Sequence, residues 1–429
     1  MNKPTCLVTA PVATRSGYGA HSRDIVRSLI KLDRFDVKIW SVRWGNTPMN
    51  ALNIDDPNDK VIIDRILPSP NLPKQPELHI HIVIPNEFQN IGKYNIGITA
   101  GLETTACPPE WIQGVNRMDL NLVPANFVKD TLNKIEFEIT DEKTNQKTGV
   151  LRVEKPIEVL FEGADTNIFK PTDRFSKLLV DEMNIIDEEF CFLYVGHWLQ
   201  GRLGQDRKDT GMLVKVFCET FKNMKKQPAL IMKTSSAGFS VIDRENMLKK
   251  INDIKNQING NCPNIYLVHG DFTDDEMNEL YNHPKVKAHV SFTHGEGFGR
   301  PLLEASISGK PVMAPKWSGH VDFLNKNFIP LDGQLTKVQK SSFPEQFFVE
   351  GSEKEKYNKP FLSFVVDGAD QNAQAFHEGG HFSQVDIVLK FNEYRTRNKA
   401  DVVHERQEIL GRQNADIDYE TYPNYRGIR

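Results

Sequence analysis

Short apolar runs separated by longer stretches of mixed polarity set the rhythm of this chain. The runs Cys6 to Ala10, Val37 to Ser41, His79 to Ile84, Ile96 to Thr99 and Leu120 to Val123 have the length of buried strands. Helical patterns fall between several of them, the first near His21 to Leu32. A second series of runs covers Cys191 to Val195, Ala229 to Lys233, Ile265 to Val268, Ala288 to Ser291 and Val312 to Ala314. Helices are expected between these near Gly211 to Lys222, Val241 to Ile258 and Asp274 to Tyr281. Strands alternating with helices predict the α/β class, with parallel sheets covered on both faces. Two doubly wound, Rossmann-like domains facing across a cleft, with ligands at the carboxyl ends of the strands, are the expected architecture.

The stretch Pro156 to Pro171 carries a strand followed by turn residues and marks the expected boundary. It assigns residues 1–168 to an N-terminal domain and 169–390 to a C-terminal one. Residues 391–429 are expected as a charged tail, helical to about Leu410, with a path back to the N-terminal domain. The polar stretch Thr140 to Thr148 reads as a surface loop or hairpin.

Composition narrows the partners. With 429 residues there is length for two cores. The chain has 53 basic and 57 acidic side chains, net −4, so no global basic field advertises a polyanion, although a local basic groove stays open. Five scattered cysteines have neither a zinc spacing nor a disulfide framework, which points to a reducing cytoplasm. Neither the layout of a signal peptide nor a run of ~20 apolar residues is present, so a soluble protein without stable membrane association is expected.

The most informative segment runs from Ser291 to Val312. Glu296 and Glu304 stand eight residues apart around a glycine-rich turn that opens a helix. Pro301 suits the first helical position, where its missing N–H has no partner to lose. Gly309, followed by Pro311, is a stop signal. Glu296 is thus expected in the loop above the helix start and Glu304 about one turn inside. Gly297, Phe298 and Gly299 let the backbone approach a ligand, and their N–H groups with the helix dipole favour an anion. A nucleotide sugar, anionic and rich in hydroxyls, fits that description. A helix-start glutamate as simple dipole complement would explain Glu304 but not Glu296. After the first strand, Gly17-Tyr18-Gly19 begins like a dinucleotide fingerprint, yet Ser22 replaces its third glycine, and a plain tight turn is the other reading. His79, His81 and His294 are expected to be structural.

These residues together resemble glycosyltransferase family 4, retaining enzymes of the GT-B fold. Glu296 and Glu304 with Gly297-Phe298-Gly299 resemble the family's E-x7-E signature. Gly163-Ala-Asp165 with Phe169 and Pro171 resembles its interdomain segment. Arg202 and Lys208 resemble its basic pair, Ser16 to Gly19 its glycine loop, and Asp119 to Phe127 its V-P-S-x-F strand and loop, with Ala125 in place of serine. The likeness spans roughly residues 5 to 325.

The resemblance implies roles. Arg202 and Lys208 would hold the donor diphosphate, where negative charge builds as the leaving group departs; a solvated basic loop is the competing reading. Glu296 would contact the donor sugar near its reacting carbon and Glu304 the ribose hydroxyls, with Arg300 and Pro301 beside them. Gly17, Tyr18 and Gly19 would close on the donor phosphates, and Trp317 to His320 would touch base or sugar. A leaving phosphate oxygen would take the acceptor proton, with retention at the anomeric carbon. Many relatives carry a histidine near the acceptor; here Ala100 to Thr105 offers Glu103, an acceptor-side base if burial raises its pKa, or else a turn cap. No cofactor or metal is expected, since the one Asp-x-Asp, Asp416-Ile-Asp418, lies in the tail. UDP-sugars are the favoured donors and GDP-sugars second. The segments Thr14 to Gly19 and Ile96 to Trp111 look like glycosyltransferases of large tailed phages, which implies 5-hydroxymethylcytosine in double-stranded DNA as acceptor. Polysaccharide, glycolipid or small-molecule acceptors remain as alternatives, as do a dinucleotide-dependent oxidoreductase and a non-catalytic sugar or DNA binder.

Overall fold

The computed structural model describes residues 3–324 apart from 142, 145, 202 and 237, then 328–338 and 353–356. The chain divides into two compact units, with Gly163 the last residue of the first sheet domain and Ala164 the first of the second. The segment just after the division packs with the second unit. Phe169 lies against Tyr281 with ring centroids 6.4 Å apart, and Lys170 N–H donates to Asn278 Oδ1 at 3.0 Å. The expected tail, residues 391–429, falls outside the described residues.

In the first unit the strands are β1 (Thr5–Ala10), β2 (Asp36–Ser41), β3 (Leu78–Ile82), β4 (Tyr94–Ile98), β5 (Leu120–Val123), β6 (Glu136–Thr140), β7 (Lys147–Arg152) and β8 (Ile157–Val159). Six of them form one parallel sheet in the order β2-β1-β3-β4-β5-β8. The polar stretch expected as loop or hairpin is the turn of the antiparallel pair β6–β7. Helices α1 (Gly17–Leu32), α2 (Pro57–Ile63), α3 (Pro109–Arg117) and α4 (Asn126–Lys134) flank the sheet. Val8, Ile39, Ile80, Ile98 and Trp111 are buried in its core.

The second unit contains β9 (Cys191–Val195), β10 (Ala229–Lys233), β11 (Ile265–Val268), β12 (Val286–Val290), β13 (Val312–Pro315) and β14 (Ile329–Leu331), all parallel, in the order β11-β10-β9-β12-β13-β14. Helices α5 (Lys177–Asn184), α6 (Thr210–Phe221), α7 (Val241–Lys255), α8 (Asp274–Asn282), α9 (Arg300–Ile307) and α10 (Val321–Leu324) accompany it, and Gln334–Lys337 pairs antiparallel with Glu353–Lys356 beyond it. Its core is aromatic: Phe192, Phe217 and Phe221 pack within 6 Å of one another. From β9 the chain winds outward through β10 to β11, then returns to lay β12 on the other side of β9. The loops leaving β9 and β12 therefore part at a topological switch point, where doubly wound sheets open a crevice at their carboxyl ends.

The helix expected near His21 starts four residues earlier, at Gly17. Ser16 is its cap, accepting the Gly19 N–H at 3.0 Å. Gly17, Tyr18 and Gly19 thus form the first turn of α1 rather than a loop. Two glycines in a row of three obscured the start, because glycine carries the poorest helix propensity after proline.

Candidate active site

The loop from Gly196 to Asp209 after β9 and the loop from Ser291 to Gly299 after β12 bring the basic and acidic candidates of the second unit together. Lys208 Nζ donates to Glu296 Oε1, and both side chains are about nine-tenths buried. Burial pushes the Glu296 carboxyl up, but the Lys208 ammonium and the Arg207 guanidinium overcome that effect. The net result is a pKa below the ordinary carboxylate value. Glu296 is an anion here, held by a cation of the neighbouring loop. Arg202, the other expected cation, lies outside the described residues. Arg207, which the sequence reading passed over, supplies a second positive charge to Glu296.

The backbone of the turn is braced from beneath. Glu296 N–H donates to Ser318 Oγ at 2.9 Å, and Gly319 N–H donates to Glu296 O at 2.9 Å. Ser318 sits at φ 80°, in the left-handed region. A Cβ on Gly319 would stand 1.9 Å from Gly297 O, so the two turns touch backbone to backbone. His320, fully buried, pairs through Nε2 with Pro315 O at 2.7 Å. The segment Trp317 to His320, expected to touch the ligand, thus includes two residues that support the Glu296 turn.

Gly299 adopts φ 95° and caps α9, as the turn requires. Arg300 occupies the first helical position and Pro301 the second, one place later than the sequence pattern predicts. Phe298 is buried against Phe323, with centroids 4.9 Å apart, so its side chain fills core while its backbone shapes the turn. Glu304 lies one turn inside, as expected. It accepts from Arg300 Nε at 3.1 Å and from the Tyr281 hydroxyl at 3.1 Å. Burial pushes the Glu304 carboxyl up to about 7, with Arg300 opposing and Asp274 adding to the rise. A carboxyl that titrates near neutrality is suited to share hydrogen bonds with hydroxyls in either state.

At the start of α6, Asp206 takes the capping role, accepting from Thr210 N–H at 3.0 Å and Gly211 N–H at 3.4 Å. Thr210 also pairs with the buried Tyr194 hydroxyl at 2.7 Å. No pattern in the sequence singled out Asp206, because its cap is offset from the first helical residue. Among the described residues no three His, Cys, Asp or Glu side chains cluster as metal ligands would. No helix among them is long and apolar enough to cross a membrane.

The candidates of the first unit are arranged differently. Tyr18 is buried, and its hydroxyl pairs with Thr99 Oγ1 at 2.8 Å and accepts the Ala100 N–H at 3.0 Å. Its ring stacks on Trp44, centroids 4.0 Å apart. Tyr18 therefore ties α1 to the end of β4. Gly19 is required by space, since a Cβ there would meet Thr14 O at 2.2 Å, whereas Gly17 faces open space. Glu103 is buried after β4, two residues beyond Gly101 at φ 72°. His79 and His81 are structural as expected: His79 joins Thr9 Oγ1 and Gln89 O, and His81 accepts the Gln89 N–H.

No protein-family model and no curated protein sequence matches the chain. Solved structures do. Sucrose-phosphate synthase from Thermosynechococcus elongatus aligns over 98% of this chain and 96% of its own, at 13% identity and a TM-score of 0.55. Trehalose-6-phosphate synthase from E. coli, bound with UDP-2-fluoro glucose, covers 98% of each chain at 10% identity and a TM-score of 0.51. Anabaena HepE in complex with UDP-glucose covers 96% of this chain and 100% of its own, at 12% identity and a TM-score of 0.50. At such identities the likeness is one of fold: two Rossmann-like parallel-sheet domains of the GT-B type.

Proposed function

We propose that this protein is a retaining glycosyltransferase that moves a sugar from a UDP-sugar to a hydroxyl acceptor. The buried Lys208–Glu296 pair at the switch point carries the reading. In this reading the donor diphosphate enters against Lys208, Arg207 and the N–H groups of the Gly297–Gly299 turn. Its negative charge competes for the Lys208 ammonium, which frees Glu296 to orient the sugar near its reacting carbon. Cations fixed on the diphosphate stabilise the charge that grows as the sugar–phosphate bond breaks, more than they stabilise the bound donor. Glu304 receives the ribose hydroxyls. A phosphate oxygen takes the acceptor proton, so Glu296 orients and stabilises rather than attacks. Arg202 joins the diphosphate cations by the resemblance alone, as Glu103 does the acceptor side. The fold shared with structures holding UDP-glucose and UDP-2-fluoro glucose supports a uridine donor over a guanosine one.

For the acceptor we carry forward 5-hydroxymethylcytosine in phage DNA, whose hydroxymethyl group projects into the major groove and needs no base extrusion. Purified protein incubated with UDP-glucose and hydroxymethylated or plain DNA, then read by mass spectrometry of the nucleosides, tests both parts. Release of UDP with a hexose on the modified base supports the full reading. UDP release that ignores DNA keeps the donor and removes this acceptor. A thermal-shift series with UDP, GDP and NAD decides the class, and stabilisation by NAD alone would make the protein an oxidoreductase.

A further inference from the structure

Lys208 and Glu296 are accompanied by a second contact between the same two loops. Asp209 Oδ2 stands 3.7 Å from His294 Nε2, and the His294 N–H donates to Arg207 O at 3.4 Å. Residues 207–209 and 294–296, which leave the adjacent strands β9 and β12, are thus joined through the backbone and by Lys208–Glu296, while the Asp209 carboxylate and the His294 ring face each other just beyond hydrogen-bond distance. The Lys208–Glu296 contact is about one-tenth exposed, whereas Asp209 and His294 are 3% and 0% exposed. Asp209 sits at φ 50°, a region that costs a non-glycine residue about 1 kcal/mol, although aspartate visits it more readily than most. Its side chain makes no cap to α6, because Asp206 does so. The conformation instead places the Asp209 carboxylate beside His294.

We propose that Asp209 and His294 form a positioning pair that holds the two loops in register so that Lys208 meets Glu296. Lysine and glutamate have long, flexible stems, and pairing them across two loops costs side-chain entropy. A shielded approach of shorter side chains one and two residues away, backed by the His294 N–H on Arg207 O, restricts the loops first. The claim rests on the proposed sugar transfer only for its kinetic consequence.

The deciding experiment is a double-mutant cycle read by thermal melting of the full chain. Lys208→Ala and Glu296→Gln are combined in the wild-type background and again with His294→Ala or Asp209→Gly. The coupling between Lys208 and Glu296 is expected to fall by about half or more in both backgrounds. Asp209→Gly relieves the backbone strain yet lacks the carboxylate, so undiminished coupling there would reduce Asp209 to a conformational role and overturn the proposal. Should His294→Ala fail to fold, Asp209→Asn, which tolerates the left-handed backbone, carries the same cycle. In a second arm, UDP release from UDP-glucose should lose about tenfold in kcat with His294→Ala and change KM little, as expected of lost alignment. His294→Gln, which keeps an N–H donor, should recover most of that loss. A fall confined to KM, or none at all, counts against the pair. If the wild type releases no nucleotide from any sugar nucleotide, sugar transfer fails while the melting cycle still decides the positioning role.

Discussion

The two six-stranded parallel sheets of this chain end differently at their carboxyl edges. In the second unit the loops after β9 and β12 present charged groups that answer one another: Lys208 with Glu296, and one turn along the helix Arg300 with Glu304. In the first unit the turn from β1 into α1 is closed mainly by neutral contacts, with Ser16 on Thr14, Tyr18 on Thr99 and Ala100, and Tyr18 stacked on Trp44, while the Arg23 guanidinium donates to Val12 O and Thr14 O. Neutral hydrogen bonds fix a backbone at little desolvation cost. Buried charges are a poor way to gain stability, and they make sense where a charged ligand will take over one partner. In the proposed function the second edge is a charged receptacle and the first a frame.

The severest way to break the comparison is to remove one charge of the receptacle. Lys208→Ala should lower UDP-sugar turnover by about 10³-fold and destabilise the protein by ~3 kcal/mol, because it strands the buried Glu296 carboxylate. Glu296→Gln should lose as much activity with less loss of stability. Initial rates of UDP release and thermal melting measure both, and full activity in either variant would mean that the receptacle has been misplaced.

Backbone contacts test the two edges evenly. Gly319→Ala forces a methyl group against Gly297 O, and Gly114→Ala does the same against Pro85 O in the first unit at 1.7 Å. Each should destabilise the protein by ~2–4 kcal/mol. Calorimetric titration with UDP at low temperature separates them: Gly319→Ala should weaken binding at least tenfold, by displacing the Glu296 turn. Gly114→Ala should leave the dissociation constant within about threefold of wild type.

A smaller effect is expected from pH. Glu304 lies at about 7 in the folded protein and near the ordinary carboxylate value when unfolded. The folded state therefore holds more protons between roughly pH 4.5 and 7, and the stability linked to Glu304 is full below that window and lost as pH rises through it. Melting temperatures of Glu304→Gln and wild type should diverge from pH 5 to pH 8, with the variant gaining roughly 3 °C or more on wild type. Parallel curves would place Glu304 in ordinary solvent. The mildest test is Tyr18→Phe, which removes the hydroxyl bridge and should cost about 1 kcal/mol. A UDP affinity unchanged within threefold keeps the first edge a frame. A tenfold loss would make it part of the donor site.

Most strands were legible because a strand buried on both faces must be apolar along its length, and Cys191–Val195 and Ala229–Lys233 have the bounds their hydrophobic runs indicate; the half-buried edge strand Ile265–Val268 and Leu120–Val123 also match their short runs. The start of α1 was not, since Gly17 and Gly19 mask a helix whose cap is Ser16 and whose second glycine answers to a clash with Thr14. Short elements such as α2 and β14 left too little periodicity to find.

For the candidate site, the order of residues alone determined the glycine turn, the helix that follows it, and the place of Glu296 above and Glu304 within that helix. These are local consequences of backbone freedom and capping, and need no knowledge of distant segments. That Lys208 reaches Glu296 across 88 positions, that Arg207 adds its charge, and that Asp209 meets His294 behind them were decided only when β9 and β12 lay side by side. Strand order is a property of how apolar faces are shared through the whole unit, and no short stretch of sequence encodes it.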